Sequence, residues 1–153
     1  MQQSEGLGMM QKDNRKIAFV CTGNTCRSPM AEAIFNDMAE KNGVCVRAES
    51  FGIATSTGLP VSENSVIACK EIGIDLSGKA STAVADAGIE KYEKFYCMSQ
   101  SHAKMLMQFF LYSPKKIAVL GISDPYGGDI EVYRHCRDGI VNSVKEILKA
   151  YEN

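Results

Sequence analysis

Hydrophobic residues along this chain fall into two alternating patterns. The first is a short apolar run that ends at glycine or polar residues, which is typical of a buried strand. Such runs occupy Lys16–Cys21 and residues 44–50, 93–98 and 116–120. The second pattern repeats every three or four residues, which indicates an amphipathic helix. It covers residues 29–41, 62–72 and 101–111, and a long closing helix that turns Val132, Cys136, Ile140, Val144 and Ile147 inward.

The alternation of strands with helices indicates how these elements pack. Parallel strands joined by helices form a sheet that is covered on both faces. We therefore predict an α/β fold, a three-layer sandwich with a four-stranded parallel sheet and helices on both faces. Ligands of such sheets bind beyond the carboxyl ends of the strands, where the strand order reverses. The loop after the first strand should lie there.

Length, composition and charge narrow the class of protein. The chain has 153 residues, of which 45% are hydrophobic and 23% charged, as in a globular domain. Residues 1–16 show neither pattern, so we predict a flexible N-terminal extension there and a single domain over residues 17–153. The 17 Lys and Arg against 18 Asp and Glu provide no basic field for nucleic acid. Since neither a membrane span nor a signal-peptide pattern is visible, we expect a cytoplasmic protein without nucleic-acid or membrane partners.

The six cysteines form neither a disulfide framework nor a metal motif. Four of them sit among apolar neighbours, where a free cysteine usually packs as a small hydrophobic residue: Cys45, Cys69, Cys97 and Cys136. The chain has no C-x2-C pair and only two histidines. We therefore expect no metal site and no cofactor.

The loop after the first strand has the features of an anion site. It reads Cys21-Thr22-Gly23-Asn24-Thr25-Cys26-Arg27-Ser28. Its backbone N–H groups can converge at the N-terminus of the following helix, and the guanidinium of Arg27 matches two phosphate oxygens. A nucleotide-binding loop would end in Gly-Lys-Ser or Gly-Lys-Thr, which is not the case here. We therefore predict that residues 22–28 bind a phosphate group.

Cys21 lies at the mouth of this predicted anion site. The amide dipoles, the helix N-terminus and Arg27 all favour its thiolate over the thiol, which makes Cys21 a candidate nucleophile. Ser28 can donate a hydrogen bond to the thiolate, and Asn24 can brace the turn by bonding to the backbone. The alternative is one more buried cysteine at a tight turn. The spacing of Cys21 from Arg27 favours the nucleophile.

The segment Cys-x5-Arg-Ser-Pro between a strand and a helix resembles the low-molecular-weight protein tyrosine phosphatases, and the resemblance extends from Ile17 to Ala150. The general acid of that family lies in an Asp-Pro loop after the fourth strand, where this chain has Asp124-Pro125. The resemblance implies that Cys21 forms a phosphocysteine while Arg27 and the loop amides hold the phosphoryl oxygens. Asp124 would act first as acid and then as base. Phosphorylated proteins would be the substrates and phosphate the product, without a metal ion.

One departure from the family concerns the support of the loop. Many members of the family that this chain resembles have a histidine after the second helix, and this histidine bonds to the loop asparagine. This chain has Lys79 in that segment. We expect Ser81 or Ser50 to brace Asn24 instead.

Thr25 bears on which phosphoryl group is hydrolysed. Members that resemble tyrosine phosphatases usually have isoleucine or leucine there, whereas a bacterial branch similar to protein arginine phosphatases has threonine. A hydroxyl can pair with a guanidinium N–H, whereas a branched alkyl group packs better on a phenyl ring. Thr25 therefore favours phosphoarginine, with phosphotyrosine as the alternative. Tyr126, expected on the substrate rim, can stack on either group, and Tyr133 is expected to be a packing residue.

Two rival functions and one regulatory role also match parts of the sequence. An arsenate reductase similar to this family needs two further cysteines seven residues apart, and Cys97 is followed at that distance by Lys104. A phosphoprotein-binding module would not need both Cys21 and Asp124. Cys26 is a candidate redox partner, because a sulfenic acid on Cys21 can condense with a neighbouring thiol. The alternative for Cys26 is a side chain turned into the core.

Overall fold

The computed structural model describes residues 15–110 and 113–152. Within this part of the chain, a parallel sheet has the strand order β2-β1-β3-β4. The strands are β1 at Lys16–Cys21, β2 at Arg47–Gly52, β3 at Lys94–Cys97 and β4 at Ile117–Val119. The helices are α1 at Arg27–Lys41, α2 at Glu63–Lys70, α3 at Gln100–Phe110 and α4 at Ile130–Lys149. Short 3-10 helices occupy Val84–Asp86, Ile89–Lys91 and Pro114–Lys116.

Side chains of β1 alternate between two hydrophobic cores. Ile17 and Phe19 pack into the core that contains the buried faces of α1 and α4. Ala18 and Val20 point to the other face of the sheet, into the core that contains Leu106 of α3. The sheet is thus covered on both faces, and the predicted three-layer α/β sandwich is confirmed. None of the described helices is both long and apolar enough to cross a membrane.

The start of α1 and the bounds of β2 differ from the prediction. Helix α1 begins at Arg27, two residues before the predicted start. Pro29 is tolerated in its first turn because the N–H groups of a first helical turn have no acceptor within the helix. Strand β2 begins opposite Lys16 at Arg47 rather than at residue 44. The N–H of Val44 still bonds to Ala39 at the end of α1, at 2.8 Å, which holds this residue outside the ladder.

Two predicted core positions are wrong. Cys45 is exposed, because it points away from the core between two buried valines. Val132 is also exposed, and Tyr133 is buried in its place at the start of α4. The other three predicted core cysteines are buried, and burial raises the pKa of each thiol to about 12: Cys69, Cys97 and Cys136.

The arrangement of β1 and β3 creates a crevice at one edge of the sheet. These two strands are neighbours, but the chain leaves β1 for α1 on one face and leaves β3 for α3 on the opposite face. Loops that diverge in this way form the usual ligand site of an open parallel sheet. Residues 1–14 of the predicted N-terminal extension lie outside the described part of the chain. Arg15 forms an ion pair with Glu93, and Lys16 is the first residue of β1.

Candidate active site

The loop between β1 and α1, residues 21–28, will be called the phosphate loop. It borders a cavity of about 230 Å³ at the crevice. The lining of this cavity consists of residues 21–27 together with Asp124 and Tyr126. The structure therefore brings the two sequence motifs, nearly 100 residues apart, around one small cavity.

Cys21 is held by hydrogen bonds that favour a negative sulfur. It is 3% exposed, and its Sγ accepts the backbone N–H of Asn24 at 3.2 Å. The Oγ of Ser28 lies 2.8 Å from the same sulfur. Ser28 Oγ accepts Nδ2–H of Asn24 at 2.7 Å, and it donates its own proton to Cys21 when the sulfur is a thiolate, since a thiolate can only accept. Two donors thus converge on Sγ, and donors of this kind stabilise a thiolate.

Asn24 fixes the shape of the phosphate loop. Its φ of 56° is in the left-handed region, which asparagine adopts more readily than most residues. Its buried side chain donates to Ser50 Oγ at 2.9 Å and accepts the N–H of Thr82 at 2.7 Å. The predicted brace from Ser50 is therefore confirmed. Ser81 does not serve as a brace, since its hydroxyl bonds to the segment at residues 56–59.

A partly buried ion pair extends this hydrogen-bond network away from the loop. Ser50 Oγ donates to Oε1 of Glu32 at 2.7 Å, and Nζ of Lys79 bonds to Oε2 at 2.6 Å. The Glu32 side chain is only 15% exposed, so Lys79 supplies the charge that compensates the carboxylate. Lys79 thus reaches Asn24 through Glu32 and Ser50 rather than by direct contact.

We expect the Lys79→Met variant to be less stable than the wild type by about 1–2 kcal/mol, because the largely buried carboxylate of Glu32 would lose its compensating positive charge and keep only the hydrogen bond from Ser50. The double variant Glu32→Gln/Lys79→Met should lose less, since the charge itself is removed. Urea unfolding at neutral pH measures the free energy of unfolding of both variants and of the single variant Glu32→Gln. A double variant that loses the sum of the two single effects would contradict a coupled pair.

Gly52, at the end of β2, allows the phosphate loop to pack against the sheet. A Cβ atom at this position would lie 2.7 Å from the carbonyl oxygen of Thr22 and 3.1 Å from Cβ of Asn24. Such distances are far below van der Waals contact, so only glycine fits. This supporting residue was missed in the sequence, although a glycine at the end of a strand can mark a close approach of backbone.

Arg27 and Asp124 lie side by side at the cavity. The Arg27 side chain is almost fully buried, and its Nη1 donates to the carbonyl oxygen of Ile122 at 3.0 Å. Its Nη2 lies 3.7 Å from Oδ2 of Asp124. The other carboxylate oxygen of Asp124 accepts the N–H of Tyr126 at 3.0 Å. This turn holds Asp124 with a half-exposed carboxyl group beside the guanidinium.

The remaining residues that were predicted near the site lie either at the cavity or in the core. Tyr126 is 82% exposed and forms part of the rim. Thr25 is half-buried and also lines the cavity. Cys26 borders the cavity but is buried, and its Sγ lies 3.5 Å from Ser62 Oγ and 3.6 Å from the hydroxyl of Tyr133. Tyr133 is buried as expected, and this burial raises its pKa to about 12.

His102 is a buried residue beside the site that was not singled out in the sequence. It is 3% exposed, and its Nε2 lies 2.8 Å from Oγ1 of Thr22. Burial, followed by the positive charge of Arg27, lowers the pKa of His102 to about 4. The ring is therefore uncharged near neutral pH. A signal was present in the sequence, because Ser99-x-x-His102 at a helix start has the spacing of a capping box.

The site combines a cysteine that accepts two hydrogen bonds with a loop of backbone amides and an adjacent arginine. This arrangement is typical of enzymes that transfer a phosphoryl group to a cysteine sulfur. The sequence profile described as "Low molecular weight phosphotyrosine protein phosphatase" matches residues 16–153. The chain belongs to this family. It is accordingly a cysteine-dependent protein phosphatase.

The similar proteins include both arginine phosphatases and tyrosine phosphatases. A protein-arginine-phosphatase of Bacillus subtilis (strain 168) is 34% identical, with 87% of this chain and 94% of that protein covered. The tyrosine phosphatase YfkJ of the same organism is 36% identical, with 87% and 96% covered. Among solved structures, a mutant of YwlE arginine phosphatase with a phosphorylated active-site serine superposes with a TM-score of 0.83 at 30% identity, covering 88% of this chain and 94% of that one.

Proposed function

We propose that this phosphatase hydrolyses phosphoarginine on proteins. The observation that carries the proposal is the hydroxyl-bearing side chain of Thr25 on the wall of the cavity, in place of a branched alkyl group. A guanidinium has N–H groups that lose their water on entering the cavity, and a hydroxyl oxygen can accept one of them. The similarity to two protein-arginine-phosphatases, from Bacillus subtilis and Geobacillus stearothermophilus, supports the same substrate.

In the proposed mechanism, the Cys21 thiolate attacks phosphorus, and the bond from phosphorus to the guanidinium nitrogen breaks. The carboxylic acid of Asp124 transfers its proton to the leaving nitrogen. Water then attacks the phosphocysteine while Asp124 takes up a proton from it, and the S–P bond breaks to release phosphate and regenerate the thiolate. Arg27 and the N–H groups of the phosphate loop stabilise the equatorial oxygens in both steps.

The Thr25→Ile variant tests the substrate assignment. We expect the ratio of kcat/KM for a phosphoarginine peptide to that for a phosphotyrosine peptide to fall by about tenfold or more, because an alkyl group leaves a guanidinium N–H unpaired. The control is Thr25→Ser, which keeps the hydroxyl and should keep the ratio near that of the wild type. A ratio that does not move in Thr25→Ile removes Thr25 as the selector.

Phosphotyrosine is the second candidate substrate. The exposed ring of Tyr126 on the rim offers a stacking surface for a phenyl group, and YfkJ is described as a tyrosine phosphatase. The arsenate reductase hypothesis has weaker support. Its relay needs an accessible thiol at Cys97, which is fully buried and has a pKa raised to about 12 by that burial.

Cys26 is proposed as a redox partner that protects Cys21. After peroxide treatment, the wild type should regain activity with dithiothreitol, whereas Cys26→Ser should be lost progressively to sulfinic acid. In this structure Cys26 Sγ contacts Ser62 and Tyr133, and Cys26 borders the same cavity as Cys21. Mass spectrometry detects the disulfide between Cys21 and Cys26. Equal recovery of the two proteins would leave Cys26 as a packing residue.

A further inference from the structure

We propose that Thr22, held in place by His102, is a further specificity-determining residue, whose hydroxyl oxygen accepts an N–H of the substrate guanidinium. This inference rests on the proposed hydrolysis of phosphoarginine. It assigns to His102 the part of a positioning residue that acts through Thr22.

The sheet brings the two side chains together. Strands β1 and β3 are paired in parallel, with Val20 opposite Cys97. Thr22 and Ser99 each follow two residues later, at the same edge of the sheet. Helix α3 starts directly after Ser99, so His102 is the third residue of its first turn. The side chain of a third helical residue can bond back to the N–H of the capping residue, and His102 Nδ1 does so with Ser99 at 3.1 Å.

These bonds determine which nitrogen of His102 carries the proton. A backbone N–H can only donate, so Nδ1 is the acceptor from Ser99, and the Ser99 hydroxyl, 2.9 Å from the same nitrogen, then acts as a second donor. The ring is uncharged near neutral pH because burial and Arg27 oppose its protonation. Its single proton is therefore on Nε2 and is donated to Oγ1 of Thr22 at 2.8 Å. Thr22 receives this bond and keeps one lone pair for a second donor.

The free lone pair of Thr22 is available to a ligand. Thr22 is exposed and lines the same cavity as Cys21 and Thr25. Among residues 15–110 and 113–152, His102 is the one hydrogen-bond partner of the Thr22 hydroxyl. A guanidinium offers several N–H donors to an acceptor at this wall, whereas the ring of phosphotyrosine offers none. The Thr22 hydroxyl should therefore favour the guanidinium over the phenyl ring. Because His102 already fixes the hydroxyl, little rotational freedom is lost when the substrate binds.

The test compares kcat/KM for phosphoarginine with kcat/KM for phosphotyrosine in peptides of one sequence. General damage to the site lowers both values and leaves their ratio unchanged. In Thr22→Val the ratio should fall about tenfold. In His102→Leu it should fall several-fold, and His102→Gln, which retains an N–H donor, should recover most of the loss. The double variant Thr22→Val/His102→Leu should show no lower ratio than Thr22→Val alone.

The possible results separate this inference from the proposed function. A wild type that does not hydrolyse phosphoarginine overturns both. A wild type that does, combined with an unchanged ratio in Thr22→Val, overturns the inference alone, and so do additive losses in the double variant. If His102→Leu does not fold, the ratio in Thr22→Val still decides. Nitrogen-15 NMR of the ring provides an independent readout, since His102 must be neutral with its proton on Nε2, and His135→Gln removes the signal of the other histidine.

Discussion

The Cys21→Ser variant is expected to lose phosphatase activity by roughly 10⁴-fold or more. A serine hydroxyl is not ionised near neutral pH, and the donors from Asn24 and Ser28 that stabilise a negative sulfur cannot ionise it. Initial rates with para-nitrophenyl phosphate measure the loss. The melting temperature should stay near that of the wild type, because only one atom is exchanged and a serine oxygen can accept the same hydrogen bonds.

The matched control for Cys21 is Cys45→Ser. Cys45 is an exposed cysteine that lines a separate cavity with Arg15 and Tyr151. The same chemical change there should leave turnover at the wild-type level. Substantial activity in Cys21→Ser, above a tenth of the wild type, would contradict the assignment of the nucleophile.

Asp124→Asn should have the second-largest effect, a fall in kcat of about 10²–10⁴-fold. An amide cannot transfer a proton to the leaving atom or take one from water. The loss should therefore be greatest for phosphotyrosine and phosphoarginine, whose leaving groups need protonation, and smallest for para-nitrophenyl phosphate. The measurement is kcat for all three substrates on wild type and variant.

Asp129→Asn provides the control for Asp124. Asp129 belongs to the same loop, but its carboxylate caps α4 by accepting the N–H of Val132 at 3.1 Å. Asparagine caps helices about as well as aspartate, so stability and turnover should change little. A loss in Asp124→Asn that is equal for all three leaving groups, or that Asp129→Asn reproduces, would contradict the role of general acid.

The local parts of the site could be predicted from the sequence because each lies within a short segment. The phosphate loop is eight consecutive residues, and its chemistry follows from the spacing of Cys21 and Arg27 between a strand and a helix. The order of strands and helices likewise follows from local periodicity. Boundaries were less accurate, as at β2, because the start of a ladder depends on where its partner strand begins.

The supporting residues could not be predicted because tertiary packing alone makes them neighbours. His102 lies 80 residues from Thr22 along the chain, and Lys79 lies 47 residues from Glu32. A buried histidine near a helix start is compatible with many folds, and a lysine in a loop usually faces solvent. The exposure of Cys45 shows the converse error, since apolar neighbours in sequence do not ensure burial.

The most direct test of the proposed hydrolysis of phosphoarginine is the substrate preference of the wild-type protein. One peptide sequence should be prepared with phosphoarginine or phosphotyrosine at the same position, and kcat/KM should be determined for both at neutral pH. The kcat/KM value for phosphoarginine should be higher than that for phosphotyrosine by about tenfold or more. An equal or higher value for phosphotyrosine would contradict the proposal.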